Sequence, residues 1–352
     1  MIRLYIISLS AILFGSKVFC QDTLPVIKRQ ISSSRFVDCY PHKNGFAALS
    51  EDGKLYQIRT SDFSDSILFS TSVSTIGTDR KGMLWAADNY SSYYSLQDTG
   101  WKWEGSLAAG KIWEIAFDTD NKPVLITDLG IYNQETEMYY GVNNHRGIRM
   151  NSFARSRYHA NCFYMDDADN LWVGSNSRNS REIHVFSTRK NKFITSTMKG
   201  LRWVHYVQGI FGHHKDVFVI DLEAISGMSR LYNYSKDTMI SIHHPEYDTM
   251  RFGPVRGTED YIGAAFFDKD SKEIYYYSSL GLLKGKYNSK KRKLEKTELV
   301  MPAQCIWNGY EFEEMGFAIR LRKMFKYQGL IIYLQKEDGV FVFDGRRIIN
   351  LR

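Results

Sequence analysis

Asp79-Arg80-Lys81-Gly82-Met83-Leu84-Trp85 and Asp169-Asn170-Leu171-Trp172-Val173-Gly174-Ser175 follow one pattern: an aspartate, small or polar turn residues, then a hydrophobic residue and tryptophan. Asp, Asn and Gly close tight turns because they bond their own backbone or tolerate left-handed dihedrals, while Leu-Trp-Val starts a β-strand. Working outward from these two stretches, similar strand-turn-strand units recur along the chain. They fall at 46–58, 73–96, 113–132, 162–186, 206–234, 261–283 and 325–343, the first turning on Asp52-Gly53. An Asp-Gly pair between short apolar runs is a strong hairpin signal. A repeat of this period signals radial repetition, because one small sheet cannot cover both its faces and a ring of sheets can. The expected fold is therefore all-β, a seven-bladed β-propeller. A helix is expected only at 311–327, where Phe312, Met315, Ile319, Met324 and Phe325 are spaced for one.

The 352 residues, 43% hydrophobic and 14% aromatic, are enough for a sizeable core, and an all-β closed array of this length can be one domain. Residues 1–20 carry Arg3 ahead of an apolar run and end in Val18-Phe19-Cys20, the form of a cleavable secretory signal, with Gln21 as the first mature residue. A lipoprotein reading would use Cys20 as acceptor, but Phe19 stands where that signal takes a small residue. The expected organisation is a signal at 1–20 and a single domain at 21–352, exported to the periplasm, the outer membrane or the outside. No later stretch has the roughly 20 apolar residues of a membrane helix. Loss of Arg3 and Lys17 lowers the formal charge from +7 to +5, and the excess gathers at Lys284, Lys286, Lys290, Lys291, Arg292, Lys293 and Lys296. Export makes a nucleic-acid partner unexpected, and Glu295 and Glu298 interrupt the run, so a solvated loop is expected there. Cys39, Cys162 and Cys305 are too few and too apolar in setting for a disulfide scaffold, and buried thiols are expected.

The Asp-x-x-Gly-x-Leu-Trp and Asp-Asn-Leu-Trp-Val-Gly-Ser stretches resemble the two-component-regulator propeller repeat of bacterial sensor proteins, and the Cys20-Gln21 junction is similar to signal peptides of the Bacteroidota. The likeness is specific in two or three units; Leu125 and Tyr275 replace the tryptophan in the third and sixth. It implies the fold. Those sensors continue into a membrane helix and a kinase or DNA-binding module, so the signalling role is not expected to carry over.

No Gly-x-Ser-x-Gly elbow and no His-Glu-x-x-His motif is present. Gly105 to Lys111 has the spacing of a phosphate loop but continues into Ile112 where a hydroxyl is required. Asp118/Asp120, Asp166/Asp167/Asp169 and Asp268/Asp270 resemble calcium loops but lack the sixth-position Gly and twelfth-position Glu together, which favours turn chemistry. His213-His214 and His243-His244 are adjacent, and neighbours on a strand point to opposite faces. No metal and no cofactor is expected. The loops entering the innermost strands surround one mouth of a propeller channel, which selects Arg35, Trp113, His159, Asn161, Trp203, His205 and Trp307 as candidate ligand-binding residues. The expected role is a non-catalytic protein-binding or assembly module of the bacterial envelope, its partner a protein, such as an outer-membrane or surface complex, or else a peptide or glycan. The alternative is a propeller lyase or glycoside hydrolase working with axial His and carboxylate residues.

Overall fold

The computed structural model describes residues 24–69, 72–108, 110–140, 163–174, 183–194, 206–213, 216–222, 229–233, 238–239, 262–278, 281–291, 293–302, 321–335 and 339–352. The expected signal at 1–20 lies outside them. The described strands form seven sheets, each running from an inner first strand to an outer last one. The first sheet is β2 (Phe36–His42), β3 (Gly45–Ser50), β4 (Leu55–Arg59) and β5 (Asp65–Phe69). The second is β6 (Val73–Thr78), β7 (Leu84–Asp88), β8 (Ser92–Gln97) and β9 (Gly100–Ser106); the third is β10 (Ile112–Phe117), β11 (Pro123–Thr127), β12 (Ile131–Asn133) and β13 (Met138–Tyr140). The fourth comprises β14 (Phe163–Met165), β15 (Asn170–Gly174), β16 (Ile183–Ser187) and β17 (Lys192–Ile194), and the fifth β18 (Tyr206–His213), β19 (Asp216–Leu222), β20 (Ser229–Asn233) and β21 (Thr238–Met239). The sixth has β22 (Ile262–Asp268), β23 (Glu273–Ser278), β24 (Gly281–Asn288) and β25 (Lys293–Pro302). The seventh has β26 (Leu321–Tyr327), β27 (Leu330–Gln335), β28 (Gly339–Phe343) and β29 (Ile348–Leu351), with β1 (Val26–Arg29) outside them.

Each sheet is apolar on both faces, which is why second strands such as β3 are buried throughout. With a side-chain period of two, Ala47 and Leu49 meet Ile76 and Ala86 of the second sheet, while Phe46 and Ala48 meet Ile332 and Val342 of the seventh. The same contact repeats around the molecule. Trp85 and Tyr93 pack on Ile115 and Phe117, Ile126 and Ile131 on Leu171 and Phe186, and Trp172 and Val185 on Val207 and Val219. Phe218 and Leu231 then meet Ile274 and Tyr276, and Tyr277 and Leu282 meet Tyr333 and Phe341. The last sheet therefore closes on the first. The protein is an all-β β-propeller, and among the described residues there is no helix.

The turn aspartates explain the repeating pattern. Asp79 Oδ1 accepts the backbone N–H groups of Lys81 and Met83 at 2.9 and 2.8 Å, and Asp166 Oδ1 accepts those of Ala168 and Asn170 at 2.8 and 2.9 Å. Their second oxygens add specificity: Asp79 Oδ2 takes Asn121 Nδ2 from the next sheet at 2.8 Å, and Asp166 Oδ2 takes the indole N–H of Trp172 at 2.8 Å. Asp169 joins the third and fourth sheets by accepting from Thr119 N and Oγ1 at 2.6 and 2.7 Å. Gly77, opposite Trp85, is required by close approach, since a Cβ there would lie 2.9 Å from the Ile115 carbonyl oxygen of the third sheet.

Three expectations change. Residues 321–327 are strand β26 rather than the end of a helix, because Leu321 and Met324 pack against the sixth sheet; 311–320 lie outside the described residues. The first sheet begins at Phe36, ahead of the unit expected at 46–58, its inner strand disguised by Pro41. An innermost strand has a free edge toward the channel, so a missing N–H is tolerated there. The apolar run Leu24-Pro25-Val26-Ile27 is expected to complete the last sheet; the segment does join it, with Val26 to Arg29 parallel to Ile348 to Leu351, but as a fifth strand. Ile348–Leu351, buried at every position, already supplies the fourth.

Candidate functional site

The inner strands share a device the sequence conceals. In six sheets the register slips by one residue near the strand start: between Phe36 and Asp38, Val73 and Thr75, Ile112 and Glu114, Val207 and Gly209, Ile262 and Ala264, and Leu321 and Lys323. A bulge re-aims the side chains around it. The equivalent positions just past it are Asp38, Thr75, Glu114, Gly209, Ala264 and Lys323, so three sheets place an ionisable group at the same level of the ring.

Tyr40 links those three groups. Lys323 Nζ donates to Asp38 Oδ1 at 2.9 Å and lies 3.0 Å from the centre of the Tyr40 ring. Tyr40 OH donates to Glu114 Oε1 at 2.7 Å, joining the first sheet to the third past the intervening second, a contact that runs across the axis. The ion pair is largely buried, with 13% of the Lys323 side chain and 17% of the Asp38 side chain exposed. Burial pushes the Glu114 carboxyl up to about 7; the Lys323 ammonium and the Tyr40 hydrogen bond pull it down and the Asp38 charge pushes it up, and burial wins. Burial first, then the Glu114 and Asp38 charges, hold the Tyr40 phenol well above its ordinary range. Burial also raises the Cys39 thiol, which is free and inert at neutral pH. The cluster can hold a proton near neutrality and bind the seventh, first and third sheets together. No group of three or more His, Cys, Asp or Glu side chains converges as a metal site among the described residues.

Of the candidate ligand-binding residues, Arg35 and Trp113 are described; His159, Asn161, Trp203, His205 and Trp307 lie outside the described residues. Arg35, just before β2, makes a two-pronged pair with Glu51, Nε to Oε2 and Nη2 to Oε1, both at 2.7 Å. Trp113 is the bulge residue of β10, half-buried, with Lys111 Nζ 5.1 Å from its ring centre. Among the described contacts none joins the two. They share the end of the ring at which the inner strands begin, where the turns between second and third strands also emerge. Two such turns display large apolar side chains: Tyr90 is 85% exposed and Leu129 48% exposed. Both are held firmly. Asp88 Oδ1 accepts from Tyr90 N at 2.8 Å, Thr127 Oγ1 from Leu129 N at 3.1 Å, and Asp128 Oδ1 from Lys111 N at 2.7 Å, while Ser91 Oγ donates to the Gly110 carbonyl.

Reading the loops before the inner strands missed Asp38, Tyr40, Glu114 and Lys323. The available signal was a charged residue at the third position of an otherwise apolar inner-strand run, as in Phe36-Val37-Asp38 and Ile112-Trp113-Glu114.

No family model matches the chain, and no curated protein matches its sequence. Solved structures do match. The computationally designed Ika8 protein aligns with a TM-score of 0.53 at 11% identity, covering 93% of this chain and 88% of that one. The WD40 β-propeller domain of Doa1 gives 0.53 at 10% identity, covering 89% and 94%, and a chain of the mitotic checkpoint complex gives 0.56 at 10%, covering 92% and 91%. At such identities the likeness is one of fold: a β-propeller with WD40-like structural neighbours. Among the described residues no helix is long and apolar enough to cross a membrane.

Proposed function

We propose that this protein is an exported propeller, its seven sheets the seven blades of one ring, acting as a non-catalytic protein-binding or assembly module of a bacterial envelope. The two-component-regulator type of repeat and the Bacteroidota-like signal at 1–20 belong to this reading. The observation that carries it is the face bearing Tyr90, Leu129 and Trp113, where exposed apolar side chains stand on turns pinned by hydrogen bonds. Rigid aromatic anchors bury area at little entropic cost, and a protein partner is the ligand that fits exposed apolar side chains carried on separate turns. One structural neighbour, the chain in the mitotic checkpoint complex, sits in an assembly. The enzyme reading draws on Glu114, whose proton affinity suits acid-base work. It is weaker, because Glu114 is bonded to Tyr40 and Asp38 to Lys323 within the protein.

The test compares the wild type with Tyr90→Ala and Leu129→Ala by affinity capture from the native envelope and by melting. Capture of a defined partner should weaken by about 2 kcal/mol or more per anchor while melting is unchanged. Equal capture by both variants removes this face as the docking surface, and a native N-terminus retained at Met1 removes the exported role.

A further inference from the structure

The opposite end of the ring carries a second surface, on the sixth sheet. The turn between β22 and β23 and the turn between β24 and β25 leave that sheet at the same end, two strand spacings or roughly 10 Å apart. The first presents Lys269 and Lys272, the second Lys290, and the adjoining strands Lys286 and Lys296, all exposed. The nearby carboxylates do not neutralise them. Asp268 accepts from Lys326 Nζ at 2.7 Å and Ser271 Oγ at 2.8 Å. Glu295 is taken by Asn288 at 2.9 Å and Lys291 at 2.8 Å, and Glu273 and Glu298 flank Lys284 at 3.7 and 3.1 Å. Asp270 and Glu298 are the exposed carboxylates of this edge, Glu298 beside Lys284, and none of the five lysines has an ion-pair partner among the described residues.

We propose that this lysine edge of the sixth sheet docks a carboxylate-rich segment of a partner polypeptide. Internal pairing of the acids leaves a net positive field concentrated on one turn cluster. The described exposed cations of this edge are lysines, mobile point charges on flexible stems that pair with the flexible carboxylates of an acidic segment, while Arg292 of the same turn lies outside the described residues. A bilayer is a poorer occupant. The exposed large apolar side chains among the described residues, Val26, Ile27, Ile67, Tyr90, Trp103, Leu129, Met138 and Ile194, lie on β1 and in the first four sheets, so the sixth offers nothing to insert. This surface is separate from the Tyr90 face, and either proposal can fail alone.

The experiment titrates a fluorescent oligoglutamate peptide into the full protein by anisotropy at rising sodium chloride, alongside the triple variant Lys269→Glu, Lys272→Glu, Lys290→Glu. A Lys81→Glu, Lys190→Glu, Lys43→Glu triple at the same end of the ring serves as the charge-matched control, with Lys81→Glu alone as a single-reversal control. Binding should weaken with salt and fall about tenfold or more in the sixth-sheet triple variant, with the control triple close to wild type. No binding at low salt, an equal loss in the control triple, or tighter binding to phosphatidylglycerol vesicles or to a single-stranded oligonucleotide overturns the proposal. Circular dichroism of each variant confirms folding, and Lys→Gln versions repeat the test with smaller charge change should a reversal fail to fold.

Discussion

Glu114→Gln tests the axial cluster through its dependence on pH. In the unfolded chain Glu114 titrates near the ordinary 4.5, and in the folded protein burial raises it to about 7. The folded state therefore binds this proton more tightly, and its contribution is fully present below about pH 4.5, declines as pH rises toward 7, and is gone above. A rise of that size is worth on the order of 3 kcal/mol across this window. Gln keeps an oxygen to accept the Tyr40 hydroxyl and never ionises, so it escapes the loss. The assay is urea unfolding of wild type and variant at matched ionic strength from pH 4.5 to 8. The difference between them should be small at pH 4.5, should grow in favour of Gln through pH 7, and should then level off. A difference independent of pH would refute the reasoning, because Glu114 would then titrate alike in both states and water would be reaching the axis. Combining the change with Lys323→Met separates the causes. Removing the ammonium alone should push the Glu114 titration higher and carry the pH dependence further up in pH, and the double variant should lose the part of that dependence that belongs to Glu114.

Deleting the N-terminal segment through Arg29 should lower the melting temperature only slightly, since all four residues of β1 are exposed and the seventh sheet keeps four strands, whereas ending the chain at Asp338 removes the buried β28 and β29 and should abolish cooperative unfolding. Equal damage from both, read by scanning calorimetry, would show that β1 is needed for ring closure. Asp79→Ala should cost about 1–3 kcal/mol in urea unfolding, because it strips acceptors from Lys81 N, Met83 N and Asn121, while Asp120→Ala, exposed at the neighbouring turn, should be near neutral.

The candidate site was only half legible. The choice of loops entering the inner strands put Arg35 and Trp113 at one mouth, and the structure places both at that end, yet Arg35 is taken up by Glu51. Asp38, Glu114 and Lys323 escaped notice because they sit inside strands, 285 residues separate Lys323 from Asp38, and each looks locally like any polar strand position. The outer strands were faint for the opposite reason. Asp65–Phe69 and Lys192–Ile194 are mostly exposed, and a strand without a buried face leaves no clear period.

Local chemistry by itself determined the repeating unit: aspartates that bind their own turn backbone, and apolar runs after each turn, are short-range features that any sheet partner would preserve. It also determined that these units form sheets needing cover on both faces, hence a ring. Only the tertiary structure decided how the ring is joined and what lies at its centre. That Ile348–Leu351 is the fourth strand of the last sheet, with Val26–Arg29 a parallel fifth, depends on contacts between the two ends of the chain. That the bulge in β2, β10 and β26 brings a carboxylate, a second carboxylate and an ammonium to one level depends on closure, which places residues far apart in sequence within hydrogen-bond distance in low-dielectric surroundings, where Coulomb forces and burial together set their charge.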